Sequence, residues 1–94
     1  MSIPFTQYLR PDGRKRDVSI DMDEAIEAEA QAFIDSGGWF ECEELMTGHA
    51  SLTACRVVDD EPQDIAIRVV PNGPGVDRAV EDLVREAVAY ITAP

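Results

Sequence analysis

The chain reads as an α+β domain, a two-layer sandwich in which two helices cover one face of a mostly antiparallel five-stranded sheet. Three observations predict it. Short stretches of alternating apolar and polar residues, punctuated by Gly, Pro and Asp, predict strands. Two longer stretches hold apolar residues at helical spacing and fall third and seventh, which gives the order β-β-α-β-β-β-α. The 94 residues, 45% hydrophobic and 29% charged, suffice for one closed core without metal or disulfide staples. Residues 1–94 are therefore read as a single domain.

The first strand is predicted over Ile3–Leu9, where Ile3, Phe5, Gln7 and Leu9 alternate with Thr6 and Tyr8. Pro4 cannot donate to a ladder and belongs at an edge or where pairing begins. Arg10-Pro11-Asp12-Gly13-Arg14 reads as a hairpin turn: Pro presets φ, Asp bonds nearby backbone and Gly supplies positive φ. The return strand, Lys15–Ile20, places Arg16, Val18 and Ile20 on one face and Asp17 and Ser19 on the other.

The first helix is expected to start from an Asp21–Glu24 capping box, with Ile26, Ala30, Phe33 and Ile34 as its buried stripe. Ala25, Ala28 and Ala32 favour the helix and a close approach to the sheet. Gly37-Gly38 ends it with a left-handed cap. Trp39–Met46 is the third strand, with Phe40 and Cys42 on one face and Trp39, Glu41 and Glu43 on the other. After Thr47-Gly48-His49, Ser51–Val58 is the fourth strand and Asp59-Asp60-Glu61-Pro62 a polar loop. The fifth, Ile65–Val70, groups Ile65, Ile67 and Val69. Pro71–Gly75 breaks the chain, and Val76, Val80, Leu83, Val84, Ala87, Val88 and Ile91 form the stripe of the last helix. The uncovered sheet face is then expected to show Tyr8, Trp39, Glu41 and Glu43.

Net charge is −11, and it is unevenly spread. Arg10, Arg14, Lys15 and Arg16 face Asp12 alone in residues 10–16, whereas residues 17–64 hold fourteen acids against Arg56. Such a field repels phosphate backbones and anionic lipid heads, so direct nucleic-acid contact and membrane binding are not expected. No stretch of about eighteen apolar residues exists. The first eight residues carry neither a basic nor an apolar signal region, so no secretory signal is expected. Two cysteines are too few for a disulfide scaffold and point to a reducing, cytoplasmic setting.

Little in the chain carries chemistry. If Met46 paired with Ser51, Cys42 would lie opposite Cys55, but buried free thiols are the expectation. His49, Cys42 and Cys55 make three ligand types without C-x-x-C or H-x-x-x-H spacing, so neither metal nor cofactor is expected. No serine sits in a nucleophile elbow, and the Gly73–Gly75 region lacks the Lys-Ser/Thr of a phosphate loop. Helix positions Glu24, Glu27 and Gln31, strand positions Glu41, Glu43 and Glu44, and loop acids Asp59, Asp60 and Glu61 together outline an acidic surface.

The runs Phe5-Thr6-Gln7-Tyr8-Leu9-Arg10-Pro11-Asp12-Gly13-Arg14, Phe40-Glu41-Cys42-Glu43, Thr47-Gly48, Ser51-Leu52-Thr53 and Asn72-Gly73-Pro74 resemble, in this order, small uncharacterised bacterial and phage-related proteins. The resemblance spans most of the chain and implies no activity. It implies a mobile-element or host-interaction setting.

The residues therefore predict a small acidic, non-enzymatic module with a protein partner, a basic one by its charge. Tyr8 and Trp39 are its expected aromatic anchor, and Glu24, Glu27, Glu41, Glu43 and Glu44 its acidic contacts. A sharper version is an acidic mimic of nucleic acid that occupies a DNA- or RNA-binding protein. From other classes come a small enzyme or thiol/metal site around His49, Cys42 and Cys55, and a homodimer through the open sheet face or an edge strand.

Overall fold

A computed structural model describes residues 2–9, 13–45 and 47–92. The chain runs β1 (Ser2–Tyr8), β2 (Lys15–Asp21), α1 (Glu24–Asp35), β3 (Gly38–Glu44), β4 (His49–Val58), β5 (Glu61–Pro71) and α2 (Val76–Thr92). The five strands form one sheet in the order β2-β1-β3-β4-β5. Three of its pairings are antiparallel, and β1 runs parallel to β3. This is the expected α+β architecture, with both helices on one face.

Alternation decides the layers. Ile3, Phe5, Phe40, Leu52, Ala54 and Ala66 point inward and are buried against Ile26, Ala30 and Phe33 of α1 and Ala79, Val80, Leu83, Val84 and Ala87 of α2. The Phe5 and Phe40 rings stack at 5.3 Å, and Phe33 tilts onto Phe40 at 5.2 Å. These three rings centre the core, where large apolar side chains contribute most per residue. Gly38 is required at the α1–β3 junction, because a Cβ there would run into the Phe33 ring. Gly37 before it takes φ +102°, the left-handed cap that the Gly-Gly pair predicts.

Several boundaries and faces differ from the sequence reading. β2 runs through Asp21, so Asp21 is not the cap; Asp23 takes that position and makes no side-chain cap bond. Ala25, Ala28 and Ala32 are exposed, and of the α1 alanines only Ala30 reaches the core. Pro4 lies within β1, ahead of the parallel ladder to β3 that begins at Thr6. In the first hairpin Leu9 N–H donates to the Arg14 carbonyl at 2.7 Å and Gly13 takes φ +72°, while Arg10, Pro11 and Asp12 lie outside the described residues. β3 ends at Glu44, and His49 belongs to β4 rather than to the connection. The expected loop at 59–62 is only a two-residue turn, with Asp59 and Asp60 at φ +53° and +66°. That is the geometry of tight hairpins, and Glu61 and Pro62 already belong to β5.

The largest departure is a bulge. Ala54 pairs with Ala66 but Cys55 pairs with Asp64, so Ile65 is an extra residue. It packs against the core, while Ile67 and Val69 point the opposite way and are 51% and 54% exposed. The three residues are therefore not one group.

Candidate functional site

The helices leave one face of the sheet uncovered, and the site is built there. Outward positions follow from strand alternation and register: Thr6 and Tyr8 on β1, Lys15 and Asp17 on β2, Trp39, Glu41 and Glu43 on β3, Ser51, Thr53, Cys55 and Val57 on β4, Asp64, Ile67 and Val69 on β5. Tyr8 and Trp39 thus stand on the same face, on neighbouring strands.

Glu41 joins them. Its Oε2 accepts the Trp39 indole N–H at 2.7 Å and the Tyr8 hydroxyl at 3.3 Å. Lys15 Nζ stands 5.6 Å from the centroid of the Tyr8 ring, a cation–π contact on the same face. Partial burial and the Glu41 charge push the Tyr8 hydroxyl above its usual range, since both disfavour phenolate. Cys55 lies directly opposite Trp39 and is 2% exposed, and its thiol donates to Asp64 Oδ1 at 3.4 Å. Burial first, then the Glu41 charge and the Asp64 hydrogen bond, push this thiol far up, so it stays protonated and unreactive. The bulge is what brings Asp64 to the outward face.

On β5, beyond this polar row, Ile67 and Val69 form an exposed apolar pair, and Val57 (49% exposed) stands apart from them on β4, past the Cys55–Asp64 pair. Charge over the whole open face is one-sided. Among the described outward positions of the sheet, Asp17, Asp21, Glu41, Glu43 and Asp64 are acids and Lys15 is the single Lys or Arg. The arginines of the β4–β5 side are engaged on the helix-facing side: Arg56 donates to the Ser36 carbonyl and Arg68 pairs with Glu86 of α2 at 2.6 Å.

The remaining sequence candidates are scattered. Glu24 and Glu27 belong to α1, on the other layer, and Glu27 is buried (8% exposed) beside the core stripe. Glu44 is on the helix-facing side of β3 and accepts from Asn72 Nδ2 at 3.1 Å. The expected acidic surface is thus divided between two layers. Cys42 pairs with Leu52 and faces inward, whereas Cys55 pairs with Trp39 and faces outward. The Met46–Ser51 pairing involves a residue outside those described, but Ser51 stands opposite Glu43. The two thiols therefore share neither a disulfide nor a ligand set; both are free. His49 bonds Thr47 through Nδ1, and no group of three metal-ligating side chains occurs among the described residues. Ile67 and Val69 were missed as surface residues, because a bulge leaves no mark in a run of apolar residues.

Among the described residues no helix is long and apolar enough to cross a membrane. Comparison with protein-family models, curated proteins and solved structures finds no match.

Proposed function

We propose that the chain is a small acidic, non-enzymatic protein-binding module, and that it holds a basic protein partner on the open face of its sheet. One observation carries this reading. The uncovered face combines the exposed Ile67–Val69 pair with the Tyr8–Glu41–Trp39 cluster under a one-sided negative charge. Apolar groups supply affinity on losing water, and half-buried Trp and Tyr are frequent energetic centres of interfaces. The acids steer a basic partner and set its orientation. Ionised Glu41 holds the indole and the phenol in fixed positions, which lowers the entropy cost of docking. No activity is assigned, since Cys55 stays protonated and His49 stands apart from both thiols.

The acidic nucleic-acid mimic is a narrower form of the same reading, and it fits the mobile-element setting that the resemblance implies. Site-specific photocrosslinking tests the proposal. A crosslinker replacing Ile67 captures the basic partner, and one replacing Arg78 on exposed α2 does not. Equal capture from both positions, or capture from Arg78 alone, contradicts it. Capture of a second copy of this chain from Ile67 contradicts it in favour of a homodimer.

A further inference from the structure

On the opposite side of the sheet, a cleft of about 260 Å³ opens between the strands and the start of α2. It exists because the roof is incomplete: α1 packs on β1 and β3, α2 packs on β4 and β5, and neither helix runs against β2. The inward side chains of β2, Arg16, Val18 and Ile20, therefore form a wall instead of being covered. Leu52 and Ala50 floor the cleft and Val76 closes its far side.

Arg16 is the one cation among the described residues of its lining, and Glu43 and Glu44 are the acids. Arg16 Nε donates to Gln7 Oε1 at 2.6 Å, which ties the guanidinium to a second residue of the lining and leaves its Nη donors outside that bond. No acid pairs with Arg16 among the described residues. Glu44 stands two strands away, about 10 Å in strand spacing, and is held by Asn72. The Cys42 thiol lies between, half-buried; burial pushes it up and the Arg16 charge draws it back.

We infer that this cleft binds a small apolar carboxylate, with the carboxylate on Arg16 and Gln7 and the hydrocarbon on Val18, Ile20, Leu52 and Val76. The volume sits just below the range of drug-sized pockets and suits a chain of a few carbons. The site lies on the other face from the proposed docking surface, and its existence does not depend on that surface.

Cys42 is a built-in reporter, since it lines the cleft while Cys55 is buried elsewhere. Hexanoate is titrated against the intact chain, with hexylamine and hexanol as matched probes. Alkylation of Cys42 by iodoacetamide is followed by peptide mass spectrometry, and backbone amide shifts by NMR. The expected result is slowed Cys42 alkylation and saturable shifts at Cys42, Leu52 and Val76 with hexanoate. Arg16→Gln, an exposed change, weakens this about tenfold, the value of one charge-assisted contact. Unchanged alkylation and shifts with hexanoate overturn the inference. Equal effects of hexylamine or hexanol overturn it too, as does an Arg16→Gln chain that binds hexanoate as the parent does.

Discussion

The Trp39 indole donates to Glu41 Oε2 at 2.7 Å, two residues along the same outward strand face, and Tyr8 of the neighbouring strand donates to that same oxygen. One carboxylate thus fixes both aromatic groups of the open face. Glu41→Gln keeps an acceptor and removes the charge that raises the Tyr8 hydroxyl and the Cys55 thiol. Both groups then titrate at lower pH than in the parent. Tyrosinate absorbance resolves this in a Tyr90→Phe background, where Tyr8 is the one remaining tyrosine. Unmoved Tyr8 titration contradicts the electrostatic role of Glu41.

Stability falls in alkali. The ordinary thiol value is 9.0, and Cys55 is held above it in the fold. Below that pH both folded and unfolded chains keep the proton, so the group contributes no slope. Above it the unfolded chain ionises first, and stability declines until the folded thiol also ionises. Denaturant midpoints across this range measure the slope, and Cys55→Ala flattens it. An unchanged slope in Cys55→Ala assigns the alkaline loss to other groups.

Gly38→Ala drives a methyl group into the Phe33 ring and costs about 2 kcal/mol, the scale of core overpacking. Gly37→Ala meets no atoms but strains a φ of +102°, and costs about 1 kcal/mol. Denaturant unfolding of the two variants separates the effects. A double variant with Phe33→Leu recovers part of the Gly38→Ala loss and none of the Gly37→Ala loss.

The β4–β5 turn is improvable. Asp59 and Asp60 both hold positive φ, a geometry that Asn-Gly satisfies better. Asp59→Asn with Asp60→Gly stabilises by about 1 kcal/mol, helped by the loss of adjacent like charges. A lowered melting temperature in this variant contradicts the turn assignment.

The element order was legible because alternation and helical spacing are imposed locally by burial. Phe5 and Phe40, and the full α2 stripe, were readable in this way. Glu27 shows what local reading loses: it lies three residues before Ala30, at the edge of the stripe, and its acidic character suggested surface. The thiol register failed for a different reason. Leu45 and Met46 extend the apolar pattern of β3, yet the strand ends at Glu44, so partners shift and Cys42 meets Leu52. The bulge at Ile65 is set by pairing with β4, which no single strand records, and it alone puts Asp64 beside Cys55. Half of the site, the Tyr8–Glu41–Trp39 face, followed from alternation. The apolar half was hidden because the bulge turns Ile65 away from the face of Ile67 and Val69, which the run of apolar residues does not show.

The central claim is that the open face holds a basic protein. Its most direct test compares the tagged parent chain with an Ile67→Lys variant in capture from lysate of the source organism, washed at low and then high salt. Ile67 is half exposed, so the variant folds, and circular dichroism checks that it does. The account predicts a basic protein retained by the parent, released by salt and absent from the Ile67→Lys sample. Equal retention by both chains, or retention that resists salt, contradicts it.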